Sequence, residues 1–586
     1  MNTHRLLALT ICITALNASQ TVFSQSKVKS SLCTSANSVE TIREQIEASK
    51  TFDDNRQRLR VLLRSADLLW PYRRPAARAA FAEAFELANL NFKNKDPKKE
   101  NPASAPDQRY LVISAIAKRD LDWATKLTEQ LLKEEAKQVE EEAAARTSQE
   151  DLATAGKLLD AALYLLPSNV NAAMQFARRS FSFPASLGLP LFLYKLAELD
   201  QPAADRLYGE AVAVYRNEPM NEFLYLSAYP FGNDHEAGDM PSYAIYRVPS
   251  GFVRRNALQR LFLETLLLRS QQTLANIQPV PTQALDTRQI WFALTRLEPQ
   301  VQQFLPDLLA ATQQARETVF THLSPDSQQR ATRSIANQNQ PKKSFDEQVE
   351  AAEKQANVNE RDRLLVFAVL GVSETEPLDR VLAVAEKISD STVRRQLLDW
   401  IYFGRSRSAI KDKQFVEARR RASKVEELDQ RAYLYSQIAE EFLKTIDDQT
   451  QARELLEEVI AAAAQAPNTI VTARTLLAAA FLYTKVDMNR AVSVIGDAIK
   501  SINRLTAPDF SRPVVTRKIE GKEFGAYATF QTPGFDPENA LRALGKIDFD
   551  TAFYQVSRFE DKYLRALTTL TLAEQCLEPA RPQRKR

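Results

Sequence analysis

Two helix signatures alternate through residues 361–505, and their spacing restricts this chain to a stacked helical array. One signature is an Arg three residues before a core-facing Leu: Arg361/Leu364, Arg395/Leu398, Arg431/Leu434 and Arg474/Leu477. These arginines are 34, 36 and 43 residues apart. The other is a helix ending in a branched apolar residue: Ile388, Val425, Ile460 and Ile499, spaced by 37, 35 and 39. A single helix pair cannot bury its apolar face, whereas a stack of pairs can. The expected fold is therefore all-α, an α-solenoid of helical hairpins.

Glycine usage supports this class. The chain has 13 Gly in 586 residues, well below the average of roughly 7%. Sandwiches, dinucleotide folds and phosphate loops need Gly where φ is positive. Apolar residues at 44% and charged residues at 26% describe a globular chain. With 77 basic and 74 acidic residues the formal charge is +3, which gives no basic face for a nucleic acid. No G-x-G-x-x-G, P-loop, H-E-x-x-H, C-x-x-C or G-x-S-x-G occurs, and no cofactor is expected.

Residues 1–24 read as a secretory signal. Arg5 precedes an 11-residue apolar run at 6–16, too short to span a bilayer. Val22-Phe23-Ser24 places cleavage before Gln25, with Ala18 as a second candidate for the last signal residue. Cys12 lies inside the apolar run and Cys33 follows Leu32, so neither fits a lipid anchor. No later stretch is apolar enough to cross a membrane, and the mature chain is expected to be exported, periplasmic or extracellular. It keeps Cys33 and Cys576. An open solenoid holds its ends apart, whereas a disulfide needs Cα atoms within about 7 Å. Both thiols are expected to stay free.

The array divides at polar segments. An N-terminal repeat array covers 36–325 and carries an inserted loop at 229–251. A polar linker and lead-in helix follow at 326–360, then the C-terminal repeats at 361–505. The stretch 506–539 breaks the helical pattern. Its segments 513–519 and 525–531 have strand composition, so either one small β-hairpin or a structured loop is expected near 513–531. A closing helix pair spans 540–578.

The loop 229–251 holds three of the 13 Gly and one of three His. Asp234, His235, Glu236 and Asp239 are the candidate metal ligands, although their spacing matches no established metal motif. Tyr229, Phe231, Tyr243 and Tyr246 are expected to pin the loop to neighbouring helices and are the candidate partner contacts. His322, late in an amphipathic helix, completes no Ser/His/Asp or Cys/His set. Arg361, Arg395, Arg431 and Arg474 could line an anion-binding face, but each is expected to pair with an acidic residue across the inter-helix turn. Trp70, Trp123, Trp291 and Trp400 fall on apolar faces and are expected to pack in the core.

The pairs Ala172-Ala173 and Ala203-Ala204 lie 31 residues apart, with Phe176 and Leu207 on the same face, and Ala76-Ala77 with Phe81 is a looser copy. In unit length and in these small-residue contacts the repeats resemble tetratricopeptide-type hairpins. They lack that repeat's Trp, Leu-Gly pair and Tyr, and several place Pro between their two helices. The chain is also similar to secreted bacterial helical-repeat proteins, a likeness that implies a fold and no activity. The expected function is an exported scaffold that binds a protein or peptide in a concave groove, without catalysis. The rival is a carbohydrate-active enzyme on an (α/α) toroid, with Asp234, Glu236 and Asp239 as acid and base candidates. Four Trp and few Gly weigh against it. An open superhelix would favour the scaffold, and a closed ring the enzyme.

Overall fold

The computed structural model describes residues 32–94, 107–141, 148–232, 248–249, 251–275, 281–338, 343–372, 376–444 and 448–577. Among them are 25 α-helices and one two-stranded antiparallel hairpin. Helix starts are set by short polar side chains. Asp54, Asn169, Asn357, Asp390, Asp487 and Asp548 each accept a hydrogen bond from a first-turn backbone N–H. Ser344 and Glu347 form a reciprocal capping box. The long helix Gly188–Tyr215 is broken at Asp200 (φ −151°, ψ 84°), ahead of Pro202, which has no donor to offer. The Asp200 carboxylate restarts it by accepting from Ala203 N at 3.0 Å. No described helix is long and apolar enough to cross a membrane.

The helices used below are α1 (Ser35–Ser49), α2 (Asn55–Leu69), α3 (Val358–Leu370), α4 (Ser391–Lys411) and α5 (Leu428–Phe442), with α6 (Pro537–Gly545) and α7 (Lys562–Leu577) closing the chain. A polar clamp repeats at a constant step between α3 and α5. Asp362 in α3 is buried, and its Oδ2 accepts from Ser389 N and Asp390 N, 2.9 and 3.1 Å away, just ahead of α4. Asp399 in α4 accepts from Glu426 N and Glu427 N, 2.8 and 3.2 Å away, just ahead of α5. Arg394 reaches back to Ile388 O at 3.3 Å, and Arg431 to Val425 O at 3.0 Å. Asp362/Asp399, Ile388/Val425 and Arg394/Arg431 are each 37 residues apart. Each carboxylate satisfies donors ahead of the next helix, and each guanidinium satisfies a carbonyl just past the previous one.

This geometry corrects the expected pairing of the four signature arginines. Of the four, Arg395 alone pairs with a carboxylate across the turn, Glu427 at 2.9 Å. Arg361 donates to the Ser389 hydroxyl, Arg431 to Val425 O, and Arg474 to Asp509 O at 2.9 Å. Arg431 is drawn to an orphan carbonyl behind its own helix, whereas Arg361 and Arg474 reach forward to neutral oxygens that stand nearer than any carboxylate across the turn.

Strands β1 (Val514–Glu520) and β2 (Gly525–Gln531) form the hairpin where strand composition placed it, with Val514 opposite Gln531 and Glu520 opposite Gly525. Val515 and Ile519 are fully buried against the array. Gln430 of α5 donates to Thr516 O at 3.4 Å, and Gln396 of α4 accepts from Glu520 N at 2.9 Å. Trp291 is buried; Trp70, Trp123 and Trp400 are half-buried and pack against core clusters.

One core runs through the N-terminal array from Leu59 to Ala331, and two occupy the C-terminal array. A fourth belongs to both ends of the chain: Val39, Ile42, Val61, Leu69 and Ala77 pack with Ala566, Leu570, Ala573 and Leu577. Helices α1 and α2 therefore lie on α7. Cys33 and Cys576 are joined by a disulfide, with Cα atoms 5.2 Å apart. The expectation of separated ends and free thiols is thereby corrected. Helix packing runs from Phe345–Glu353 through α7, passes directly to α1, and continues to Leu309–Thr321. The chain order is a circular permutation of the stacking order. The chain passes between these two ends through the helix Pro325–Gln338, whose Ala331 is buried in the N-terminal core.

Two results follow from this order. Cys33→Ser should lower stability by roughly 2–5 kcal/mol, read as a lower urea midpoint. A chain cleaved at a protease site engineered at 339–342 should still elute as one particle after reduction, because α1 stays packed on α7. Separation of the two fragments under mild reducing conditions would show that the disulfide alone joins them.

Candidate functional site

A cavity of about 330 Å³ opens at this seam. Arg60 and Arg64 of α2 form one wall, and Tyr563, Leu564 and Leu567 of α7 another. Phe510, Ser511 and Pro513, just before β1, close a third side, and Asp536, Pro537 and Glu538 at the start of α6 close the fourth. Phe510 and Leu564 are buried and give the cavity an apolar floor.

The charges around this floor are unequally satisfied. Arg64 donates to Glu538, to Thr571 Oγ1 at 2.9 Å and to Glu574 Oε2 at 3.1 Å. Burial opposes its charge, but Glu538 and Glu574 outweigh burial and hold its pKa above the usual value. Thr571 Oγ1 also donates to Glu538 at 2.6 Å, and Arg542 donates to Glu574 at 3.1 Å. This network is closed on itself. Arg60 is different: it is exposed, and its hydrogen bond to Tyr563 Oη is 3.3 Å long. That bond is the main cause raising its pKa.

Asp536 caps α6 by accepting from Glu538 N at 3.1 Å, and it accepts from Asn539 Nδ2 at 3.0 Å. Burial, reinforced by the charge of Glu538, still pushes its carboxyl up to about 6; the backbone bond and Arg64 act in the opposite direction. The site thus combines an apolar floor, an open guanidinium, a phenol and a carboxyl that titrates near neutrality.

The candidate loop is anchored at its described edge. Tyr229 is buried, its hydroxyl donates to Asp205 Oδ1 at 2.8 Å, and burial raises its pKa. Tyr194 Oη donates to Ala228 O and Tyr229 O at 2.6 and 2.9 Å. Phe231 is 4% exposed and meets Phe262 edge to face. Gln259, Gln300 and Arg254 donate to the carbonyls of Pro230, Phe231 and Gly232. A Cβ at Gly232 would lie 1.9 Å from Tyr194 Oη, so only Gly fits there. Tyr243, Tyr246, Asp234, His235, Glu236 and Asp239 lie outside the described residues. No group of three or more His, Cys, Asp or Glu placed to hold a metal ion occurs among the described residues.

Sequence reasoning did not single out the seam pocket. Asp536-Pro537-Glu538 is legible as a helix start, but that it faces α2 is not. Both walls come together where Cys33 meets Cys576, a pairing that no local feature of the sequence specifies.

Two outcomes test the site. The folded Asp536 carboxyl titrates above its unfolded counterpart, so protonation favours the folded state. This contribution is full below about pH 4 and is lost as pH rises through about 6. Asp536→Asn should therefore raise the urea midpoint at pH 7, and the advantage should shrink at pH 5. For the loop, Phe231→Ala should cost about 3–5 kcal/mol, and Gly232→Ala should also destabilise, both measured by urea unfolding.

Comparison with known proteins identifies no family: no family model matches the chain, and no curated protein matches it.

Proposed function

We propose that this chain is an exported helical-repeat scaffold that binds a protein or peptide, with the seam pocket seating one partner side chain. The observation that carries this reading is the pocket's composition. Pockets that anchor a side chain combine an apolar floor with a few placed polar groups, as do Phe510, Leu564, Arg60 and Tyr563 here. Export is supported by the apolar run at 6–16 and by the Cys33–Cys576 disulfide, because oxidising compartments preserve such bonds.

The test places a photo-crosslinking residue at Ser511 and irradiates the full chain with an envelope fraction of the source cells. A discrete crosslinked product should form, and Arg60→Glu should reduce it about ten-fold, as expected for an anchor contact. A product pattern unchanged by Arg60→Glu would overturn the role of the pocket.

The carboxyls gathered at the seam favour a second reading, a carbohydrate-active enzyme on a scaffold of helical hairpins. In that reading Asp536, protonated below about pH 6 beside Glu538, would supply the acid. Reducing sugar released from a polysaccharide by the wild-type chain and not by Asp536→Asn would favour it over the scaffold.

A further inference from the structure

Arg517 points from β1 into the array and is 8% exposed. Its guanidinium lies 3.8 Å from the Trp400 ring centre and 4.7 Å from that of Phe403, both on α4. It donates from Nη2 to Trp400 O at 2.6 Å, and its Nε is buried without a partner. Arg407, one turn beyond Phe403 on α4, is exposed and stands 4.5 Å over the Phe530 ring. Arg517 approaches the same ring at 5.9 Å. Among the described residues neither guanidinium forms an ion pair with a carboxylate.

The other strongly buried arginine is treated differently. Arg109, 4% exposed, pairs with Asp107 at 2.7 Å. Burying an unpaired charge is costly, and a second cation beside it adds repulsion. Burial, reinforced by Arg407, pushes the Arg517 pKa down to about 9. Stacking on Trp400 and Phe403 accounts for Arg517 as a pin that holds the hairpin. It does not account for Arg407 being placed over the same Phe530 ring. A bound anion would offset both costs.

We propose that Arg407 and Arg517 bind an oxyanion, the carboxylate of an acidic ligand, beside the Phe530 ring that both guanidinia approach, with Trp400 and Phe403 holding Arg517 in place by stacking. A guanidinium matches a carboxylate in a planar, two-bond fork. The carboxylate has two possible sources. One is a free dicarboxylate. The other is an acidic side chain on an extended peptide. The bonds Thr532 N to Pro513 O and Gly521 N to Phe524 O fix the hairpin's alternation. That alternation leaves the backbone groups of Gly525, Tyr527, Thr529 and Gln531 on the outer edge of β2, where a peptide strand could add. This site shares no residue with the seam pocket, so either can fail without the other.

The test uses the full chain with two probes: glutarate, and a blocked peptide alternating Thr and Glu. Trp fluorescence is followed against NaCl at matched ionic strength, with Trp400→Phe as the signal control. Wild type should show a saturable change that NaCl does not reproduce and that Trp400→Phe lacks. Arg407→Gln, at an exposed position, should weaken binding about ten-fold, and Arg407→Lys should restore part of it. Arg517→Lys, which keeps the charge and loses the fork, should also weaken binding. If the peptide binds about ten-fold tighter than glutarate, the partner is a peptide; equal affinities identify a small dicarboxylate. Equal affinity in wild type and Arg407→Gln, a response that NaCl reproduces, or no saturable response to either probe overturns the proposal.

Discussion

The packing of α1 and α2 on α7 is the contact on which the rest of the structure depends. In a helical array each hairpin is covered only by its neighbours, so the two ends of the array have faces with no partner. Here the two ends of the chain lie inside the array and cover each other, and the array itself ends at Phe345–Glu353 and Leu309–Thr321. Val39, Ile42, Leu69, Leu570 and Leu577 lose their water at this contact, a gain on the order of 10 kcal/mol at about 2 kcal/mol per side chain. The disulfide closes a loop spanning 543 residues, and chain entropy puts its contribution near the top of the usual range, about 5 kcal/mol. Arg64 then ties three segments distant in sequence, holding Glu538 and Glu574 across the seam. The pocket exists because these segments meet there.

Within the array, polar groups set the spacing that apolar packing alone would leave loose. Ala, Leu and Val can slide past one another with small changes in buried area. A carboxylate that must meet two N–H groups cannot. Asp362 and Asp399 each satisfy a pair of donors ahead of the following helix. Arg394 and Arg431 answer with the carbonyls at the preceding helix end. The register of each helix pair is therefore fixed by three hydrogen bonds that fail together if the step changes.

Much of this was legible in the sequence, for local reasons. Low Gly and helical periodicity determine the class, Pro202 marks a break, and the composition of 513–531 places the hairpin to within a residue. The clamp was only half legible. The arginines chosen by pattern were unevenly spaced, whereas Asp362/Asp399 and Arg394/Arg431 keep a constant 37. That irregularity was itself the signal that a different arginine belonged to the unit. The inward position of Arg517 was also readable, since it alternates with Val515 and Ile519 on the buried face of β1. The meeting of Cys33 and Cys576 was not readable. It depends on small rotations summed over many hairpins, and nothing local at either cysteine specifies the other.

Both candidate sites lie where the repeat's own polar scheme gives out. Ser436 stands 37 residues after Asp399, where a third carboxylate would continue the clamp, and its buried hydroxyl has no partner. A hydroxyl is too short to reach the next turn. The following unit instead uses Asn468, which donates to Ser501 O at 3.2 Å and accepts from Ser501 Oγ at 2.6 Å. The hairpin docks on α4 and α5, the latter being the helix that carries Ser436, and it brings its own polar contacts through Thr516 and Glu520. Its insertion supplies packing where the clamp is missing, and it leaves Gln430 Oε1 and Arg517 Nε buried and unpaired. A regular repeat consumes its polar groups in holding itself together. Groups free to meet a ligand are left at the interruptions, which here are the hairpin and the joined ends.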